Sequence, residues 1–422
     1  MHSYPAFCFF RRPRVSPPES QTVHPDLSPK RTRRGAVATL LATLLLAGCG
    51  GEEKPRAGAG GPLTCAEGAG AGEWAGAFAE APGAGEEPGA LGPIAGLSAE
   101  GGVLLAFDVG SVAVLVLDSA LHRSGSFGRK GKGPGEMEAD RATLFPAPGG
   151  NKDWLAGRGD SVIVYDGVRL SLFDGSGRFQ RYLVGEPMEI GMSPGLHRIR
   201  LVDGGLLFGA GGHDPMSRAK PGKPARWELR RYSGSRPKTL LSLDLPDLPK
   251  YGGAPFSGPG QAQAVWDANR ACAVASDGSS PFVVVRELAS GRVDTLPVSL
   301  PPSPPPDDDA EMRELMKQMG QSHGPLPRAT SPMRVRDLAI APDGTIWLLP
   351  RSGARPPAGP VEVLLIDPRT GGVRRDTVPA FPRAFGPSGT YYAVARDADR
   401  VERIVRVRAA GTPAAPGAAT PR

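Results

Sequence analysis

The sequence predicts an all-β protein in which short strands recur as repeated four-stranded sheets. Three observations carry this. From about Leu91 onward, brief apolar runs rich in Val, Leu, Ile and aromatic residues alternate with turn chemistry. The 58 glycines and 46 prolines make up about a quarter of the 422 residues, and many of them recur as turn signals between the apolar runs. Finally, the second run of each group begins near residues 103, 161, 205, 271, 345 and 390, at gaps of 58, 44, 66, 74 and 45.

The chain opens with a leader, residues 1–48. Arg31, Arg33 and Arg34 precede fourteen uncharged residues, Gly35 to Gly48, which is the layout of a signal peptide. The run is too short to span a bilayer, which needs roughly 20 apolar residues. The thirty residues before Arg31 read either as an extended n-region or as an upstream start. Leu46-Ala47-Gly48-Cys49 resembles the bacterial lipobox. That resemblance implies lipidation of the Cys49 thiol and cleavage before it, with added acyl chains such as palmitate. Gly50 in place of Asp at the next position implies the outer membrane. Residues 49–90 then read as a Gly/Ala-rich tether.

The body follows as paired strand signals. "GVLLAFD" (102–108) and "SVAVLVLD" (111–118) are separated by Val109-Gly110, and "SVIVYD" (161–166) leads to "RLSLFDGSGRFQRYLV" (169–184) with a tight turn at Asp174. Later pairs are "GGLLFGA" with "RWELRRYSG" and "KTLLSLDL", "ACAVASDG" with "FVVVRELASGRVDTLPVSL", "LAIAPDGTIWLLP" with "VEVLLIDPRTGGVRRDTV", and lastly "GTYYAVARDADRVERIVRVRA". The smallest gaps match one propeller blade of ~40–45 residues, and the larger ones read as blades with loop insertions. Six starts give a six-bladed β-propeller over residues 91–409. No blade buries its two faces alone, so neighbours stack around an axis.

Beyond residue 409, "AGTPAAPGAATPR" cannot form a strand, and residues 410–422 read as a disordered tail. The last blade would therefore lack its fourth strand. Residues 73–81 ("EWAGAFAEA") are expected to supply it; the alternative is that Trp74 and Phe78 cover one face as loop residues. "PPSPPPDDDAEMRELMKQMGQ" (301–321) predicts a short helical insertion with Met312, Leu315 and Met316 on one side. Asp307 to Asp309 read there as N-terminal capping acids rather than a calcium cluster.

"FGRKGKGPGEME" (127–138), the strands around it and the "PDGTIWL" turn-strand (342–348) resemble the six-bladed propeller lipoproteins of bacteria, related in fold to NHL-repeat propellers. The resemblance covers most of residues 91–409. Met137 stands where an aromatic residue commonly follows the Glu. What the resemblance implies is a fold and an envelope location, with no particular reaction.

Candidate chemistry is sparse. The loop holding Gly131, Gly133, Gly135 and Glu136 is Gly-rich and basic, so its backbone N–H groups could cradle an anion. It is not a Walker loop, and the competing reading is an inter-blade turn. His213 and Asp214 are the only adjacent His–Asp pair and the second candidate binding element; with no third ligand beside them they read mainly as a polar loop. Asp108, Asp118, Asp166 and Asp174 at strand ends read as turn formers. Cys65 and Cys272 could pair in an oxidising compartment, yet the apolar setting of "ACAVA" favours a buried free thiol at Cys272. The formal charge of +7 is mostly the leader's: residues 1–48 carry +5, leaving +2 for the rest, so nucleic acid is not an expected partner. The expectation is a non-catalytic envelope module binding a protein or glycan ligand, without catalytic residues, metal or cofactor. The alternative is a propeller hydrolase or lyase with a metal on the axis, its ligands drawn from several blades.

Overall fold

The computed structural model describes residues 62–67, 74, 78–80, 91–100, 102–138, 153–184, 198–211, 225–246, 250–251, 254–255, 264–302, 333–351, 359–387, 389–396 and 402–409. All belong to the compact unit Lys54–Arg422. Cys49, His213, Asp214, most of the 301–321 segment and the 410–422 tail lie outside the described residues.

Strand β1 (Phe78–Glu80) precedes the ring. Blade 1 comprises β2 (Ile94–Glu100), β3 (Val103–Asp108), β4 (Ala113–Leu117) and β5 (Arg123–Phe127), followed by a parallel pair, β6 (Arg129–Lys130) and β7 (Glu136–Met137). Blade 2 is β8 (Leu155–Arg158), β9 (Ser161–Tyr165), β10 (Leu170–Asp174) and β11 (Phe179–Val184). Blade 3 is β12 (Ile199–Val202), β13 (Gly205–Gly211), β14 (Ala225–Tyr232) and β15 (Lys238–Leu245), followed by β16 (Lys250–Tyr251) and β17 (Ala254–Pro255). Blade 4 is β18 (Val265–Ala268), β19 (Cys272–Ser276), β20 (Phe282–Glu287) and β21 (Val293–Pro297). Blade 5 is β22 (Val335–Ile340), β23 (Ile346–Pro350), β24 (Val361–Ile366) and β25 (Val373–Val378). Blade 6 is β26 (Ala384–Phe385), β27 (Thr390–Arg396) and β28 (Glu402–Ala409), with β1 as its fourth strand. These are six four-stranded antiparallel sheets, a six-bladed β-propeller.

The core lies between blades, and that explains the sequence texture. On β13, Leu206, Phe208 and Ala210 pack toward blade 2 while Leu207 packs toward blade 4. On β23, Ile346 and Leu348 join blade 4 whereas Trp347 and Leu349 join blade 6. A strand buried on both faces needs apolar side chains on both, so the middle strands read as unbroken apolar runs instead of alternating ones. Blade 6 meets blade 1 through Tyr392 and Ile404 against Ile94, Leu97 and Leu104, which closes the ring.

The closing strand uses the register Phe78↔Ala409, Ala79↔Arg408 and Glu80↔Val407. Trp74 and Phe78 also pack into an aromatic cluster. Trp74 meets Trp347 and Phe385 edge-on, each at 5.4 Å, and Phe78 meets Trp347 at 5.3 Å. Such aromatic pairs add about 0.5–1.5 kcal/mol each beyond the area they bury.

Ahead of β1, residues 62–67 form a strap over blades 4 and 5. Thr64 N–H donates to Glu287 Oε1 at 2.7 Å, and Glu67 N–H donates to the Pro342 carbonyl at 2.7 Å. Asn269 Nδ2 donates to the carbonyls of Cys65 (2.8 Å) and Ala341 (3.0 Å). The strap crosses the "PDGT" turn closely. Gly344 has φ +88°, and a Cβ there would lie 2.9 Å from the Cys65 carbonyl carbon, so only glycine fits.

One expectation fails. Cys272 is not a free thiol but is bonded to Cys65, with Cα atoms 5.1 Å apart and 207 residues of chain between them. The apolar setting at Cys272 is real, since both cysteines are at most 1% exposed; what the local run could not reveal is that the strap brings Cys65 into it. The bond constrains a long loop in the unfolded chain. Cys272→Ser should therefore lower stability by about 2–5 kcal/mol, read as a urea midpoint difference that vanishes under strong reductant; equal midpoints under oxidising conditions would contradict this.

Candidate functional site

Antiparallel order sorts the connections. Turns from first to second and from third to fourth strand lie on one face of the ring, and the remaining turns and inter-blade connections lie on the other. The strap contacts Asn269, Glu287 and Pro342, all on the first face. The 128–135 loop belongs to the second.

At the axis, first strands or the residues just before them supply charge from five blades. Asp153 precedes β8, Arg198 precedes β12, Arg200 is in β12, Asp267 in β18, Asp337 in β22, and Arg383 precedes β26. All except Arg200 are buried, and Arg200 is largely so. Asp153 is the centre. Its Oδ2 accepts from Arg198 Nε and Arg200 Nη2, both at 2.9 Å, and its Oδ1 accepts from Arg383 Nε at 2.9 Å and from Arg383 Nη2. Arg198 further donates to Asp337 Oδ1 at 3.0 Å, to the Leu338 carbonyl at 2.6 Å and to the Trp266 carbonyl. Arg200 Nε donates to Asp267 Oδ1 at 2.6 Å, and Asp267 Oδ2 accepts from Ile340 N–H at 3.0 Å. Backbone contacts complete the seal near the axis: Ile199 N–H donates to the Asp153 carbonyl at 2.9 Å and Trp154 N–H to that of Ala95 at 2.7 Å.

The electrostatics follow from this geometry. Burial alone would raise the Asp153 carboxyl, but Arg383, Arg200 and Arg198 overcome it and hold the group well below the usual carboxylate range. Burial alone would weaken the Arg198 guanidinium's hold on its proton, yet Asp337, Asp267 and Asp153 push it the other way. At Asp337 burial wins and raises the carboxyl despite Arg198. The set balances three guanidiniums against three carboxylates, with Asp153 accepting from three arginines. This does not suit a cation. Among the described residues, no group of three or more His, Cys, Asp or Glu is placed to hold a metal.

Sequence reasoning missed these residues, although a signal exists. Each lies between five and nine residues ahead of the second strand of its blade. A charge recurring at one phase of the blade repeat, beside apolar neighbours, marks an axial position.

The structure shapes the 128–135 loop from within. Glu136 Oε2 accepts from Gly133 N–H at 2.8 Å, and Oε1 accepts from Arg129 Nε at 2.9 Å. The Gly133 N–H, and after it the Arg129 partner, hold the Glu136 carboxyl below its usual range. The cradle expected for an external anion is thus filled by the loop's own carboxylate. Gly131 lies so close that a Cβ there would sit 2.1 Å from Glu136 Oε2. Arg169 caps the other side, donating to the carbonyls of Lys132 (3.1 Å), Glu136 (3.2 Å) and Gly131 (3.4 Å), while Tyr182 Oη donates to that of Gly133 at 2.9 Å. Gly135 packs on Phe179. Arg129, Lys130 and Lys132 are left exposed on a rigid support. Strand-end acids do serve turns: Asp108 accepts from Gly110 N–H, Asp118 from Ala120 N–H, Asp166 from Val168 N–H and Asp174 from Ser176 N–H.

Asp153→Asn leaves three guanidiniums around a neutral amide, and should cost about 3–5 kcal/mol. Asp337→Asn removes a carboxyl that burial already opposes and should cost clearly less; equal losses in chemical denaturation would contradict the central place given to Asp153. Because the Asp153 carboxyl is depressed in the fold, its contribution is full above the ordinary value of 3.8 and is lost as pH falls below it. Between pH 6 and pH 3 the wild type should therefore lose more stability than Asp153→Asn, measured by urea midpoints.

No protein-family model matches the chain, and no curated protein matches it. Among solved structures, a member of the DUF4221 family from Bacteroides vulgatus aligns over 79% of this chain and 97% of its own at 11% identity and a TM-score of 0.48. A Bacteroides fragilis protein assigned as exported aligns over 79% and 94%, at 10% identity and a TM-score of 0.44. A calcium-binding protein, regucalcin, from Agrobacterium tumefaciens aligns over 80% and 97%, at 12% identity and a TM-score of 0.39. At these identities nothing about activity passes from them to this chain.

Proposed function

We propose that this propeller is a non-catalytic binding module of the bacterial cell envelope, anchored through a lipid on Cys49. The carrying observation is the axis. Among the described residues, the charged side chains that converge there pair with one another, with Asp153 accepting from three arginines. An axial acid, base or metal ligand needs a group with spare capacity. The lipobox-like Leu46-Ala47-Gly48-Cys49 and the Cys65–Cys272 disulfide, a bond that persists in oxidising compartments, support the location.

The surface assigned to ligand is the locked loop of Gly131, Gly133, Gly135 and Glu136. Its carboxylate and glycines hold the shape, and Arg129, Lys130 and Lys132 present charge. The ligand class is acidic, either an envelope protein with a carboxylate-rich surface or a uronate-bearing glycan. Because the loop and the strap lie on opposite faces, the ligand approaches from the side away from the strap.

Titration of the mature chain with a polyglutamate peptide and with polygalacturonate, at low and physiological salt, tests the surface. Lys130→Ala with Lys132→Ala should weaken one of the two at least fivefold, with a smaller salt dependence. Unchanged binding, or binding to neither polymer, would reject this surface. Stoichiometric transition metal retained by the purified chain would return the catalytic reading. For the anchor, mass spectrometry should find diacylglyceryl and acyl mass on Cys49, and Cys49→Ser should leave the leader uncleaved; an unmodified mature N-terminus elsewhere would reject it.

A further inference from the structure

We infer that the Cys65–Cys272 bond is a load shunt: tension arriving along the N-terminal tether passes into blade 4 and never reaches the strand that closes the ring. The inference rests on the lipid-anchor reading for its physiological use, but the load path itself is set by connectivity.

The closing strand is placed where a pull would find it weak. Among the described residues β1 makes three pairs with β28, and Phe78, the first residue of β1, lies opposite Ala409, the last residue of β28. A force drawing the chain away on the N-terminal side of Phe78 therefore opens the ladder from its end, one pair at a time. Opening in sequence loads one pair while the others rest, whereas shear would load all three together. Trp74 would be drawn out first, since it precedes Phe78, and with it the contacts to Trp347, Phe385 and Tyr391.

The strap stands upstream of all of this. Cys65 precedes Trp74 in the chain, on the side from which the pull arrives, and its partner Cys272 is the first residue of β19, in the middle of the blade 4 sheet. Strand β19 pairs with β18 on one side and β20 on the other, and Cys272 itself is fully buried. With the bond formed, the covalent path runs from the tether to Cys65, across sulfur to Cys272, and into a strand with two neighbours. Trp74 and Phe78–Glu80 then lie inside the closed 65–272 loop, off the path. Hydrogen bonds from Asn269 to Cys65 and from Arg270 N–H to Glu67 Oε1 (2.6 Å) hold the strap flat on the same blade. Leu63, at 2% exposure, seats its leading end.

Single-molecule pulling tests this on the mature, unlipidated chain, with one handle at residue 49 and the other on a tag inserted after Ser290, in the exposed turn between β20 and β21 of blade 4. The oxidised wild type should unfold with no early transition. Cys65→Ser with Cys272→Ser should show an additional low-force event, releasing the segment from Leu63 to Glu80, about 60 Å at ~3.5 Å per residue. Wild-type chain folded and kept in reductant should show the same event, which covers the case in which the double variant does not fold. An early event in the oxidised chain, or none in the reduced chain, would overturn the inference. Lipidation plays no part in this measurement, so failure of the anchor reading is seen separately, in the mass of Cys49.

Discussion

The structure depends on one buried carboxylate. Asp153 accepts from Arg198, Arg200 and Arg383, and through Arg198 and Arg200 it is joined to Asp337 and Asp267. These residues come from blades 2, 3, 4, 5 and 6, so the set ties together the first strands of five blades. A buried ion pair is a poor source of net stability, because desolvation offsets the attraction. What it supplies is geometry. A guanidinium donates in a fixed plane, and Arg198 meets two blades' carbonyls and two blades' carboxylates at once. Any blade that slid or rotated would leave a charge unpaired in the interior, so the set fixes the relative positions of five blades.

The apolar contribution is distributed differently. It lies in five clusters between adjacent blades, with each middle strand contributing to both neighbours. This is why a ring suits the sequence: the strands have two greasy faces, and only a closed circuit of sheets covers both. Closure requires a fourth strand for blade 6, and β1 provides it together with the aromatic cluster around Trp74 and Trp347.

How much of this was legible depends on the range of the signal. Strand starts at 103, 161, 205 and 390 are read directly, because turn chemistry and apolar runs are local. The turn roles of Asp108, Asp118, Asp166 and Asp174 are local too, since each acid bonds N–H groups two residues on. Segment 73–81 drew attention through a deficit elsewhere, the missing strand after β28. Long-range pairings were not legible. Nothing near Cys272 announces Cys65, and nothing near Asp153 announces Arg383, which is 230 residues away. Glu136 misled for a related reason: a Gly-rich basic loop shows its donors in sequence, but not that its own carboxylate already occupies one.

The position of β1 has a bearing on the order in which the molecule is completed. Chains emerge from the amino end first, so Phe78–Glu80 appears ahead of the other described strands while its partner β28 follows them all. Until β28 emerges, the early segment has no mate in its sheet. Cys272, by contrast, emerges once three blades and the first strand of the fourth exist. The segment can thus be parked against blade 4 long before blade 6 arrives, held within reach of its eventual berth and away from unpaired edges of other sheets.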